Sequence, residues 1–348
     1  RTWAPRRVEE RGLRTVLVPA PPVPLWLFYA VPQFTFGGLL DHCPAAFVIS
    51  GSAHVALPLA LRRRPYVLWI ATLYEDELRA KAEAGDAWAA GVLNSPTWPL
   101  LQRQERLALR RAARVLALSH HTARRVLDAV PEVEDRLETV LYPVDLTRFQ
   151  PAPEVRANPP HGRYLLLAAR LNDPRKNVGL LLRAFARARS EHPALRLVLV
   201  GDEPGPALRG LAQELGLGEC VVFGGAVPPD ELLRLYQGAE LFVLPSMQEG
   251  LGIVVLEALA CGTPVVATAC GGPEGIVIDG LTGRLVHDFH DPDVLASAIL
   301  DLLADPARIE AMRKQCADFA AEHCASPVVE ARLRAAYEAA AGHKGGPA

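Results

Sequence analysis

One rhythm restricts this chain more than anything else in it, and it runs cleanly from Tyr164 onward. Short apolar runs alternate with longer stretches of helical composition, separated by brief polar or glycine-bearing turns. Strands are expected at Tyr164–Ala168, Arg196–Val200, Val221–Phe223, Leu241–Leu244 and Pro264–Ala267. Helices are expected over Val178–Glu191, Pro206–Leu215, Asp230–Ala239 and Ile253–Cys261. Strand and helix in strict alternation predict an α/β protein with a parallel, doubly wound, Rossmann-like sheet.

The front of the chain carries the same pattern with strands expected at Thr15–Val18, Ala46–Ser50, Tyr66–Ala71 and Val115–Ser119. Between the last two, Pro96–Arg114 has helical composition, and Arg103, Arg106, Arg110 and Arg114 fall on one face. That stripe reads as a solvated helix face, with contact to anionic lipid as the alternative. Pro151–Pro160 is proline-rich and poor in apolar residues, so it reads as a linker between domains. The 348 residues suit two domains. The expected division is 1–150, then 151–325, then a C-terminal helix at Pro327–Ala341 within 326–348 that packs back toward the first domain.

Composition excludes several classes. No apolar run reaches the roughly 18–20 residues of a membrane span; the best candidate, Leu25–Val31, is closed by Pro24 and Pro32. A soluble, cytoplasmic protein, at most peripheral at a membrane, is therefore expected. A net charge of −2 argues against nucleic-acid binding, although residues 1–150 carry 19 basic and 15 acidic side chains and the remainder 18 and 24. The cysteines at 43, 220, 261, 270, 316 and 324 lack metal-binding spacing and read as buried thiols. Only four of the 37 basic residues are lysines (Lys81, Lys176, Lys314 and Lys344), which singles each of them out. The first residue is Arg1, so no targeting signal is legible.

Two turns carry the chemistry. After the strand ending at Leu244 comes Ser246-Met-Gln-Glu-Gly-Leu-Gly-Ile-Val-Val-Leu-Glu257, with a helix expected to start near Gly252. Backbone N–H groups at such a start favour an anion, and Gly250 and Gly252 allow close approach of a ligand. Glu249 and Glu257 are placed to reach the two ends of an elongated polar ligand. The second turn is Ala169-Arg-Leu-Asn-Asp-Pro-Arg-Lys-Asn177, in which Arg170 and Lys176 are expected to converge on one site; a lysine there suits phosphate as a point charge. A diphosphate with attached sugars fits both. Asp291-Pro-Asp293 has the form of a metal-binding DxD, but it precedes a helical stretch and reads as an N-cap with proline at the first helical position. His287 and His290 read as surface residues, no metal ligand is assigned, and neither GxxxxGK[ST] nor GxGxxG occurs.

These residues make the second half resemble the retaining family-4 glycosyltransferases (glycosyl transferases group 1) of GT-B fold. The matching pieces include Arg170 and Lys176, Val200-Gly-Asp202, Phe223-Gly-Gly-Ala-Val227, Leu244-Pro-Ser246, Glu249 through Val266, Gly271-Gly272 and Asp279-Gly-Leu-Thr-Gly283. The resemblance implies two Rossmann-like domains facing a cleft and transfer of a sugar from a nucleotide-diphosphate sugar to an acceptor hydroxyl. It implies retention of configuration, with no metal and no resident cofactor. Arg170 and Lys176 would hold the diphosphate and stabilise its leaving charge. Glu249 would touch the donor sugar, helped by backbone N–H groups around Gly250, Leu251 and Gly252. Glu257 would bind the ribose, and Gly201 and Val227 would lie near the base. The expected acceptor is a sugar, a lipid-linked molecule or a small molecule.

The front half matches less closely. Arg111–Ser119 looks like the family's last N-domain strand, and Leu141–Phe149 resembles its domain-crossing segment without the usual Asn-Gly. The family's opening strand and glycine-rich loop have no counterpart, since Leu13–Val18 reads as a later strand. Ala71 or Thr72 stands where the family places a histidine near the reacting sugar; His54 is a possible substitute or a structural residue. The acidic cluster Glu75–Glu77 is expected either to face the cleft or to form a solvated loop. These departures keep open a degenerate sugar-nucleotide-binding subunit and, as a second enzyme class, a GT-B sugar-nucleotide epimerase.

Overall fold

A computed structural model of the chain describes residues 6–10, 13–17, 43–288 and 290–342. The apolar run Leu25–Val31, Lys344 and the end of the tail lie outside the described residues.

The first described strands, β1 (Arg6–Glu10) and β2 (Leu13–Leu17), pair antiparallel with each other in a two-stranded sheet of their own. This corrects the expectation that Leu13–Val18 is a strand of the parallel sheet. A two-residue connection suffices for a hairpin, whereas a parallel pair needs a crossover.

The first parallel sheet has the order β3 (Ala46–Ser50), β4 (Tyr66–Ile70), β5 (Arg114–Ala117), β6 (Leu137–Thr139). Its crossovers hold α1 (Leu57–Leu61), α2 (Tyr74–Glu83), α3 (Ala87–Leu93), α4 (Trp98–Arg111) and α5 (His120–Ala129). β4 is buried along its whole length. Helix α4 stops at Arg111 and Arg114 begins β5, so only Arg103, Arg106 and Arg110 of the expected stripe share an exposed helix face. The Glu75–Glu77 segment is the first turn of α2 rather than a loop. Acidic residues suit that position because a helix N-terminus carries partial positive charge.

The proline-rich connection is not simply extended: Pro153 opens a short helix, α6 (Pro153–Ala157), and Ala152 beside it is buried. The second sheet follows with β7 (Tyr164–Ala169), β8 (Arg196–Gly201), β9 (Val221–Gly225), β10 (Leu241–Leu244), β11 (Val265–Thr268) and β12 (Gly283–Val286). All its pairs are parallel, in the order β12-β11-β10-β7-β8-β9. Between them run α7 (Val178–Glu191), α8 (Pro206–Glu214), α9 (Pro229–Gly238) and α10 (Ile253–Ala260). β6 and β12 were not legible in the sequence, because each is short and only partly buried.

After β12 come α11 (Pro292–Leu303), α12 (Pro306–His323) and α13 (Ser326–Gly342). α13 lies against β4 and β5, burying Val329, Ala336 and Ala340 in the core that the two sheets share. The return is pinned where Val144 N–H donates to the Cys324 carbonyl at 2.8 Å. Cys261, Cys270, Cys316 and Cys324 are buried and Cys220 is half-buried, but Cys43 is exposed, against expectation. No described helix is long and apolar enough to cross a membrane.

Candidate active site

Strand order positions the site. Reading outward from β7, the chain first lays down β8 and β9 on one side, then returns to add β10, β11 and β12 on the other. The turns after β7 and β10 therefore diverge to opposite faces and leave a crevice between them, the place where open α/β sheets bind ligands. Those two turns hold Arg170–Asn177 and Pro245–Gly252.

The crevice brings Lys176 and Glu249 together, with Nζ 2.5 Å from Oε1. Ser246 Oγ donates to the same carboxylate oxygen at 2.8 Å, and Ser246 is itself fully buried. The turns are also tied through their backbones, since Met247 N–H donates to the Arg175 carbonyl at 2.7 Å. Behind them, Glu249 N–H donates to Cys270 O, and Gly272 N–H donates to Glu249 O. That clamp requires glycine at 272, where a Cβ would come within 2.5 Å of the Leu251 carbonyl carbon. Gly252 has φ 80° and caps α10 without any side-chain bond, which leaves the turn Gly250–Gly252 as a backbone-lined helix entrance.

Arg170 behaves differently from the expectation. Its guanidinium is 69% exposed and pairs with Asp173 at 2.9 Å, so it and Lys176 do not share a partner. Nearer the crevice lies Arg175, which bonds Asp173 and reaches Gln248 Oε1 at 3.4 Å. The hydrogen bond to Asp173 raises the Arg175 pKa further, so this cation is permanent. Sequence reasoning passed over Arg175; its only signal was adjacency to Lys176.

Glu257 sits one turn into α10, half-buried, and Tyr236 Oη donates to its Oε2 at 2.8 Å. Burial pushes the Glu257 carboxyl up, opposed by that hydrogen bond. Tyr236 is fully buried and was not legible as a site residue, since a tyrosine in a helix reads as core. Gly201 ends β8 beside Ala169, and Val227 follows β9 half-buried. Leu251 is buried against the Gly272 turn.

The first domain supplies the opposite wall. A Cβ at Gly250 would lie 3.0 Å from the Ala71 carbonyl oxygen, so Ala71 directly faces the 249–252 turn. Thr122 Oγ1 donates to that same oxygen at 2.7 Å. His54 does not reach the crevice: it is buried, its Nε2 is 2.9 Å from Leu101 O, and burial lowers its pKa. Asp76 is held by Arg125 at 2.8 Å, and Glu77 by Lys81 at 2.5 Å. Asp291 caps α11 by accepting from Asp293 N–H at 2.8 Å, and His287 and His290 are exposed. Among the described residues no cluster of His, Cys, Asp and Glu is arranged to hold a metal ion.

Comparison with known proteins joins this geometry to a family. Residues 151–323 match the family described as glycosyl transferases group 1. Residues 151–323 are thus a domain of that family. Among similar curated proteins, the D-inositol 3-phosphate glycosyltransferase of Acidothermus cellulolyticus is 37% identical over 217 residues, covering 58% of this chain and 48% of that protein. The GDP-mannose-dependent alpha-(1-6)-phosphatidylinositol monomannoside mannosyltransferase of Mycolicibacterium smegmatis is 41% identical over 184 residues, 49% of this chain and 47% of its own. The chain thus spans about half the length of these relatives. Among solved structures, sucrose-phosphate synthase from Thermosynechococcus elongatus superposes with a TM-score of 0.74 at 25% identity, covering 96% of this chain and 85% of its own. HepE of Anabaena, solved with UDP, gives a TM-score of 0.69 at 20% identity, with 84% and 78% covered. The GT-B fold expected from the sequence is the fold observed.

Proposed function

We propose that this chain transfers a sugar from a nucleotide-diphosphate sugar to an acceptor hydroxyl, with retention of configuration and without a metal ion. The observation that carries the reading is the Lys176–Glu249 pair at the β7/β10 crevice, beside the α10 entrance. A diphosphate reaching Lys176 takes over as its counter-ion and frees Glu249 to accept from a hydroxyl of the donor sugar. As the sugar leaves, negative charge grows on the diphosphate, where Lys176, the helix entrance and, after turning from Asp173, Arg170 stabilise it. Glu257 takes the ribose hydroxyls, and Gly201 and Val227 border the base. The first domain, with Ala71 opposite Gly250, forms the acceptor side, and the cytoplasm is the proposed location.

The relatives suggest the first candidates. GDP-mannose is the first donor to try, followed by UDP- and ADP-sugars; inositol phosphates and phosphatidylinositol mannosides are the first acceptors. A donor present at 100 times its dissociation constant should add about 2.7 kcal/mol to stability. Release of nucleoside diphosphate that depends on acceptor and persists in EDTA is the expected result. Activity lost in EDTA and restored by manganese overturns the metal-free mechanism. Donor binding without release under any acceptor favours the alternative of a non-transferring subunit, which Ala71 motivates because its methyl group offers the sugar no polar atom.

A further inference from the structure

Two first-domain helical segments begin without help from their own capping residues. Ser52 precedes the short 3-10 turn Ala53–Ala56 and makes no side-chain bond to it; Leu73 precedes α2 and has no polar side-chain atom to offer. One carboxylate from a third element serves both. Glu105 of α4 accepts from Ala53 N–H at 3.3 Å and from Tyr74 N–H at 3.0 Å, from positions 52 and 31 residues away. Glu105 is 6% exposed.

What Glu105 holds is the wall of the crevice. Ala71 through Leu73 connect the end of β4 to α2, whose first residue is Tyr74. Ala71 is fixed by Ser50 and Thr122 at one end, and Tyr74 by Glu105 at the other. We propose that Glu105 is a positioning residue for the Ala71–Tyr74 segment, setting the acceptor-side wall against the Gly250 turn and doing so most firmly when its carboxylate is charged. This rests on the proposed transferase reading, because only then does the wall meet a reacting sugar.

The group is placed to titrate. Burial pushes the Glu105 carboxyl up to about 7, against the pull of the two backbone N–H groups. Facing it are His54 from the 3-10 turn, at 3.8 Å, and Glu75 and Asp76 from α2, which oppose its charge. Arg106 of its own helix and Arg125 and Asp128 of α5 line a cavity of about 200 Å3 that reaches Glu105 and admits solvent. Burial lowers the His54 pKa, against its hydrogen bond to Leu101. Protonation converts charge-assisted acceptors into neutral ones, roughly half as strong.

The sign of the coupled stability is opposite to that of the positioning. A carboxyl with a raised native pKa keeps its proton between about 4.5 and 7 while the unfolded chain has lost it. Stability from this group is therefore present at low pH and lost as pH rises through that window. Firm positioning and stability move in opposite directions with pH, which a merely structural residue would not do.

The test compares wild type with Glu105→Gln, a stand-in for the protonated acid that does not titrate. Amide hydrogen exchange of residues 72–78, corrected for intrinsic rates, should be about tenfold faster in E105Q at pH 8, and wild type should approach it at pH 6. With GDP-mannose or UDP-glucose as donor, kcat should fall about tenfold at pH 8 with donor KM within about twofold, and the difference should close at pH 6. E105Q should also gain in melting temperature relative to wild type from pH 5 to pH 8. Equal exchange at pH 8, or a ratio constant with pH, overturns the proposal. If no GDP-, UDP- or ADP-sugar is turned over, the transferase reading fails while exchange still decides the role of Glu105. If E105Q does not fold, the pH dependence of exchange in wild type decides alone.

Discussion

The two walls of the crevice are built in opposite ways. The wall from the second sheet is made of turns that are each local: Arg170–Lys176 and Ser246–Gly252 are single turns at the ends of β7 and β10, brought together by strand order and tied by the Met247–Arg175 backbone bond. The wall from the first sheet is assembled at long range. Its Ala71–Tyr74 segment depends on Thr122, 51 residues away, and on Glu105, 31 residues away. A local wall can be read as a motif, whereas a wall made by distant capping leaves no compact signature.

The largest expected effect tests the local wall. Lys176→Ala removes a point charge from a leaving group whose negative charge grows in the transition state. Turnover at saturating donor should fall by about 2–4 kcal/mol, or roughly 30- to 1000-fold. Thermal unfolding without donor is the control, because the pair is largely buried at side-chain exposures of 16% and 12%. Unchanged turnover would remove the diphosphate from Lys176 and with it the chemical meaning of the local wall.

A smaller effect should separate binding from chemistry within the same wall. Glu257→Ala deletes acceptors for a ribose that does not react, so donor affinity should fall by about 1.5–3 kcal/mol while saturated turnover changes little. Tyr236→Phe keeps the carboxylate and loses only its 2.8 Å hydrogen bond, and should cost affinity about 1 kcal/mol. Isothermal titration with GDP-mannose and with UDP-glucose measures both. An equal loss of turnover in the two variants would make Glu257 part of the transfer step instead.

These residues also mark how far the sequence was legible. The apolar runs of the second sheet are nearly uniform and buried almost throughout, so their strands and α7 could be placed to within a residue or two. Glu249 and Lys176 could be named because their turns follow such strands. Arg170 could not be given its partner, since choosing Asp173 over the crevice is a rotamer decision that spacing does not encode. Tyr236 and Glu105 were invisible for another reason: each lies on a helix face that otherwise reads as core, and its polar partner comes from elsewhere in the chain. The β1–β2 hairpin was misjudged because an isolated apolar run does not say which strand it will pair with.

The smallest expected effect concerns the seam between the walls. Arg124 of α5 meets Glu274 of the second domain at 2.6 Å, a distance that invites a reading as the latch. Its side chains are 65% and 24% exposed, however, so water screens the attraction and two long side chains lose freedom to form it. A double-mutant cycle on Arg124→Ala and Glu274→Ala should give a coupling of only about 0.2–1 kcal/mol in thermal stability, shrinking as salt is raised from 0.05 to about 1 M. Close packing accounts for the rest of the seam: a Cβ at Gly271 would lie 3.1 Å from the His121 ring, and α13 fastens the first sheet from behind. A coupling well above 1 kcal/mol that survives high salt would mean that the two walls are held by a charge pair, and that packing is secondary.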